Sequence, residues 1–164
     1  MFAQSQVVGW SFDSAVESDI DELMTWFPDA HSIDIWGGPA FRFPFDRKSF
    51  HADCRWSEYS SYCLKNAAGE FSAFGQMGYR YGRSHLARLV ANPGMRGQGI
   101  GRKLLEEMIA VARAEPDIEE MALFVYKNNE PAYRCYLALG FGVQEYPDEA
   151  ALREECFYMT RPAK

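Results

Sequence analysis

Between Asn92 and Leu105 the chain reads NPGMRGQGIGRKLL, with Gly97, Gly99 and Gly101 at alternate positions ahead of an apolar, helix-patterned run. Glycine is costly at a helix start unless bare backbone is needed there. The first N–H groups of a helix have no intrahelical partners, and the helix dipole adds positive potential, so such a loop suits a pyrophosphate. Arg96 and Arg102 add charge. Two other phosphate loops do not fit. A Walker A loop needs G-x-x-x-x-G-K-S/T, but Gly101 is followed by Arg102, Lys103 and Leu104, with no hydroxyl for magnesium. A G-x-G-x-x-G dinucleotide fingerprint counted from Gly97 or Gly99 would put its third glycine on Arg102 or Leu104.

A second block lies downstream: Asn129, Ala132, Tyr136, then Gly140-Phe141. Together with Arg96-x-x-Gly99-x-Gly101 after an apolar strand, it resembles the two signatures of the GNAT N-acyltransferases. The resemblance covers roughly residues 58–146, leaving 1–56 as a variable acceptor-side segment of one domain spanning 1–164. It implies that Arg96, Gly97, Gln98, Gly99, Ile100, Gly101 and Arg102 hold the pyrophosphate of acetyl-CoA. It further implies that the backbone of Leu89, Val90 and Ala91 pairs with the pantetheine arm, one N–H there serving as oxyanion donor. Asn129 is implied to contact the cofactor beyond the next strand. The activity implied is acetyl transfer from acetyl-CoA to an amine by direct attack in a ternary complex, without a metal.

Such a reaction needs a neutral amine and a proton for the leaving thiolate. Deprotonating a lysine-like amine at pH 7 costs about 4–5 kcal/mol unless a base or a desolvated cleft assists. Tyr136 falls on the family's proton-donor position; a phenol stays protonated at neutral pH and can give its proton to a thiolate. The base is less determined. Family members often carry a glutamate eleven or thirteen residues before the loop arginine, and here those positions hold His85 and Arg83. Arginine is no base, whereas histidine titrates near working pH; the rival to His85 is an ordered water chain. Arg88 lies on the opposite strand face from His85 by parity, and a carboxylate partner is expected for it.

Other chemistry-bearing residues have plainer readings. The four cysteines, Cys54, Cys63, Cys135 and Cys156, form no C-x-x-C pair and read as reduced thiols. Cys135 has no spaced histidine to activate it. His31 and His51 have no motif around them. Tyr133 shares a helix face with Tyr136 and reads as packing or a lid. Trp36, Phe41, Phe43 and Phe45 line an acceptor pocket or fill a core; both remain open. The acidic run Glu115–Glu120 reads as a solvated loop.

The elements that must position these groups follow from periodicity. QVVGWSF (6–12) predicts a strand, and Ser14 with Glu17 has capping-box spacing ahead of a helix carrying Ile20, Leu23, Met24 and Phe27, closed by Pro28. An irregular aromatic loop follows, then a short helix near Asp46–Ala52. EYSSYCLKN and FSAFGQMGYR predict a hairpin, and a turn at Tyr81–Arg83 leads into SHLARLVA. IGRKLLEEMIAVARAE is amphipathic, MALFVY is a buried strand, Asn129 caps a helix ended by Gly140, and FGVQEY and EECFYMT close the sheet. The expected fold is α/β (α+β) and GNAT-like: a mixed, mostly antiparallel sheet of six to seven strands with about four helices. A splayed parallel strand pair, 85–91 and 121–126, holds the cofactor.

The bulk properties exclude several classes. With 164 residues, 48% hydrophobic, the chain buries a full core. Its net charge of −6 argues against nucleic acid, and no apolar run approaches a membrane span. No basic, apolar leader precedes the domain, so a cytoplasmic protein is expected. The acceptor remains open between a small molecule and a protein amine, the acidic balance tilting towards a cationic molecule, and a homodimer is possible. A catalytically silent acyl-CoA sensor is the alternative to an enzyme.

Overall fold

The computed structural model describes residues 5–7, 9–148 and 154–164. One eight-stranded sheet runs through them in the order β1-β2-β3-β4-β5-β6-β8-β7. The strands are β1 (Ser5–Val7), β2 (Trp10–Ser14), β3 (Ser60–Lys65), β4 (Phe71–Arg80), β5 (Arg83–Ala91), β6 (Glu120–Tyr126), β7 (Gly142–Gln144) and β8 (Cys156–Pro162). Among the described residues five α-helices accompany it: α1 (Asp19–Met24), α2 (Ala30–Gly37), α3 (Arg47–Asp53), α4 (Ile100–Ala114) and α5 (Glu130–Ala138). Every strand pairing is antiparallel except β5 with β6.

Three expectations are corrected. The single strand over 6–12 is a hairpin, β1 with β2, because Gly9 adopts φ +78 and turns the chain; Val8 lies outside the described residues. Ser14 ends β2 instead of capping a helix, and α1 starts at Asp19, whose own carboxylate accepts the Val16 N–H at 2.8 Å. The aromatic loop contains α2, set by a capping box in which Asp29 accepts the Ser32 N–H at 2.8 Å. The same device at Asp46 and Ser49 starts the expected helix α3.

Alternation along the central strands feeds two cores on opposite faces of the sheet. Leu64 and Ala73 pair and join the core under α4, where Ile100, Leu104, Leu105, Met108, Ile109 and Ala112 are all buried. Their neighbours Cys63 and Phe74 pair on the other face and join Ile20, Leu23, Ile33 and Phe50 from α1–α3. Full burial of each large apolar side chain contributes about 1.5–3 kcal/mol, so both layers are firmly fixed. Hairpin β4–β5 closes through Tyr81 (φ 53) and Gly82 (φ 75), the two positive φ values of a type I′ turn. No helix among the described residues is long and apolar enough to cross a membrane.

Candidate active site

The parallel junction of the sheet is short. Ser84 pairs with Met121 and His85 with Ala122, after which β5 and β6 share no further register. From Leu86 to Ala91 and from Leu123 to Tyr126 the facing strand edges diverge. A cleft of about 890 Å³ occupies this fork; His85, Leu89, Val90, Ala91, Arg96, Asn129 and Tyr136 all line it. Gly97 to Arg102 stand past Arg96, around the N-terminus of α4, outside the lining.

The loop that reaches α4 is anchored at its base. Asn92 donates through its amide to the Phe71 carbonyl at 3.0 Å, and its side-chain oxygen accepts the Gly94 N–H at 2.9 Å. Gly97 and Gly99 then take φ +84 and +71, conformations that demand glycine. The first helical hydrogen bond runs from Lys103 N–H to the Gly99 carbonyl at 3.1 Å, and no side chain caps the end. The amides of Ile100, Gly101 and Arg102 thus form the bare helix terminus described for anion binding. Gly101 is informative because the fold does not need it: it has no positive φ, and a Cβ there would meet nothing within 4 Å. Arg102 spends part of its charge on Glu106 at 2.9 Å, while Arg96 has no ion pair among the described residues.

On α5, Asn129 uses its side-chain oxygen to cap the helix through the Ala132 N–H at 3.4 Å. Tyr136 sits one helical face on, its ring 6.0 Å from Phe141 in an edge-on contact. Burial pushes its phenol above the ordinary tyrosine range, so it holds its proton at any working pH. Tyr133 packs on Phe157 at 5.1 Å.

His85 is 4% exposed and lies 5.4 Å from the Phe124 ring. Burial first, then the positive charges of Arg80 and Arg88, push its pKa down to about 3, so the imidazole is neutral. Its Nδ1 is enclosed and has no hydrogen-bond partner.

Arg88 departs from its expected place. The β4–β5 register passes from Gln76–Ala87 to Phe74–Val90, so Arg88 and Leu89 together oppose Gly75 in a bulge. Arg88 takes φ 51 there, and the extra residue cancels the parity rule. Leu89 turns to the α4 core, where its methyl would lie 2.7 Å from a Cβ on Gly75. Arg88 turns to the face of His85. Its Nε donates to the side-chain oxygen of Gln76, and its guanidinium lies 4.6 Å over the Tyr59 ring. The expected carboxylate partner is absent: no described aspartate or glutamate lies within 4 Å of it. Arg83 instead ties β5 to β6 and β8 through Glu120 at 3.2 Å and the Tyr158 hydroxyl at 3.3 Å.

The remaining walls come from residues to which the sequence assigned no function or an open one. Trp26, Phe27, His31, Ile35 and Trp36 line the cleft, as do Arg55, Tyr59 and Arg80. Trp36 serves both readings, lining the cleft and stacking on Phe27 at 4.3 Å. Phe41 belongs to the core and Phe43 is exposed. His51 pairs with Glu17 at 2.8 Å, away from the cleft. No disulfide joins the cysteines, and no described group of three acids, histidines or cysteines is placed for a metal. The capping-box spacing of Asp29 and Ser32 was the available signal for α2 and hence for this wall; nothing in the sequence signals the bulge.

Comparison with solved structures places this geometry among known proteins. The fold superimposes on a spermidine N-acetyltransferase from Vibrio cholerae in complex with CoA and spermine, with a TM-score of 0.75 and 12% identity over 96% of this chain and 97% of that one. It also matches the ribosomal-protein-S18-alanine N-acetyltransferase from Escherichia coli (TM-score 0.69, 23% identity, 94% of each chain). A third match is yncA from Salmonella typhimurium with its cofactor acetyl-CoA (TM-score 0.68, 18% identity, 95% of each chain). Residues 21–141, from α1 through the forked strands to Phe141, match the acetyltransferase (GNAT) family, and with that span the chain belongs to it.

Proposed function

We propose that this protein transfers an acetyl group from acetyl-CoA to a primary amine by direct attack within a ternary complex. The observation that carries this is the fork: two β5–β6 register pairs, then a cleft with a bare helix terminus at its side and Tyr136 in its wall. The open edge at Leu89, Val90 and Ala91 offers N–H and C=O groups to an extended pantetheine arm, and one of those N–H groups serves as oxyanion donor. Gly97 to Gly101, with Arg96 and Arg102, receive the pyrophosphate; the dispensable Cβ space at Gly101 supports that fit. The relatives from Vibrio cholerae and Salmonella typhimurium, solved with CoA and acetyl-CoA, support it too.

Bound acetyl-CoA supplies a thioester carbonyl as the electrophile. The chain's own groups manage protons. The nitrogen–carbon bond forms as the carbon–sulfur bond breaks. The ammonium loses one proton before attack and one after, and the sulfur takes one, so one proton leaves per turnover. Tyr136 gives the sulfur its proton, which its raised pKa keeps available. With its pKa pushed down to about 3, His85 is too weak a base to take the amine's proton itself, so an ordered water chain carries that proton and the neutral imidazole orients it; no aspartate or glutamate among the described residues lines the cleft to compete.

Calorimetric titration with acetyl-CoA, followed by a thiol-release assay across amines, tests this. Binding that is weakened by Gly99→Glu, with thiol released for some amine, is expected. Binding without release from any small amine would favour the sensor reading, which the missing carboxylate base otherwise supports. Absence of binding would overturn the proposal.

A further inference from the structure

The acceptor end of the cleft carries a charge opposite to that of the chain. The protein's net charge is −6, yet four arginines line the cleft and no described aspartate or glutamate does. Two of the four are accounted for. Arg96 stands at the phosphate loop, and Arg55 is held by Glu58 through two hydrogen bonds of 2.7 and 2.9 Å. Arg88 and Arg80 form no ion pair within 4 Å among the described residues, one on each side of His85 in the chain and both acting on its charge.

Arg88 is built in place. Gln76, fully buried, is itself fixed by donating to the Ser61 hydroxyl at 2.9 Å, and it holds Arg88 at Nε. Tyr59 covers one face of the guanidinium. The positive φ that aims this side chain is strained in a non-glycine residue and survives only where the surroundings impose it. One nitrogen of the guanidinium is left over: Nη2 is enclosed and has no hydrogen-bond partner. Two more cleft residues repeat the pattern, Trp36 at Nε1 and His85 at Nδ1. Buried polar atoms without partners are rare in native proteins, and three residues of one cleft share the defect.

We infer that the acceptor is a small amine that also carries its own anionic group, a carboxylate or its equivalent, taken by Arg88 with Arg80 beside His85. A free polyamine would meet these guanidiniums, while the two acids bonded to lining residues, Glu58 and Asp34, are already engaged by Arg55 and the Tyr126 hydroxyl. Guanidinium forks match carboxylates in geometry and charge. Ile35 and Trp36 from α2 add an apolar wall for the carbon skeleton of an apolar amino acid. Burial is the main reason that His85 is neutral, and the bound anion would offset the added effect of the two guanidiniums, raising its affinity for a proton when the acceptor is present. This inference rests on the acetyltransferase reading above and specifies its acceptor.

The test compares matched amines on the full-length protein: phenylalanine and leucine against phenethylamine and isoamylamine, which lack only the carboxylate, with spermidine as a dicationic control. Calorimetry with acetyl-CoA alone is run first, so failure there counts against the acetyltransferase reading and not against this one. The expected kcat/KM preference for the amino acid is about 10- to 100-fold, the range of a charge-assisted hydrogen bond. Arg88→Met should raise KM for the amino acid by a similar factor, abolish the preference and leave acetyl-CoA affinity unchanged. Arg88→Lys should restore part of the loss, and Arg80→Gln, half-buried at the last position of β4, provides a second variant with less demand on folding. Should acetyl-CoA bind while decarboxylated amines or spermidine are turned over as well as the amino acids, or while no amine of either series is acetylated, the inference is overturned. An unchanged KM in folded Arg88→Met would overturn it equally.

Discussion

Arg88 donates through Nε to the side-chain oxygen of Gln76, across a bulge that brings both onto the same face of the sheet as His85. Strand parity alone puts Arg88 on the other face. One inserted residue opposite Gly75 therefore decides whether the cleft contains a second buried-edge cation beside its histidine.

That hydrogen bond predicts the outcome of Gln76→Leu. The substitution keeps volume but strands a charged donor and the Ser61 hydroxyl. A loss of about 2 kcal/mol, or roughly 4–8 °C in Tm for a chain of this size, is expected by thermal denaturation. A variant as stable as the parent would show that Gln76 does not hold Arg88.

Gly101 separates folding from binding. Because an added methyl would meet no protein atom and the backbone φ is ordinary, Gly101→Ala should leave Tm unchanged or raise it slightly, by up to about 1 kcal/mol of helix propensity. Acetyl-CoA affinity should nevertheless fall by about tenfold in calorimetry. Equal affinity in the variant would mean that the phosphates pass elsewhere.

Tyr136→Phe removes only the hydroxyl. A fall in kcat of about 10²-fold or more, with acetyl-CoA Kd changed by no more than about twofold, is expected if the phenol supplies the leaving group's proton. A drop in affinity with kcat preserved would assign the tyrosine to packing.

His85 imposes a pH dependence on stability. Its folded pKa, about 3, lies below the ordinary value of 6.5, so the unfolded chain binds a proton that the folded one refuses. Stability from this group is therefore complete above pH 6.5 and declines as pH falls towards 3, by about 1.4 kcal/mol per unit. Denaturant titrations from pH 7.5 to 4.5 should show a shallower decline in His85→Gln than in the parent. Parallel curves would place the imidazole in water.

Most of the architecture was legible because it rests on local signals. The stripe from Ile100 to Ala112 gave α4, Asn129 and Gly140 bracketed α5, and FSAFGQMGYR matched β4 residue for residue. The fork was legible only through the resemblance of two motifs, since nothing local says where a parallel pair stops pairing. The acceptor wall was not legible. α2 hides among prolines, glycines and aromatics whose period is broken, and its capping box at Asp29 and Ser32 was the one clear mark. The bulge at Arg88 has no sequence signature, because an arginine at positive φ is imposed by packing around it and not by its own preference. Net charge says little about the cleft for a related reason: it averages a surface, whereas the cleft lining holds four arginines and no described acid.

Only two rungs, at Ser84 and His85, join β1–β5 to β6–β8. The sheet is thus two ribbons stitched at one end, with the shared core under α4 as backing. A ligand that lays an extended chain into the gap becomes the mortar of this seam. Between Leu86 and Ala91 and between Leu123 and Tyr126, the amides that face the gap, unlike those bonded to β4 or β8, should exchange with deuterium slowly only when the gap is filled, and the free protein should resist heat less by an amount that grows with the logarithm of ligand concentration. Cohesion of the two ribbons and occupancy of the cleft are then one equilibrium seen from two sides.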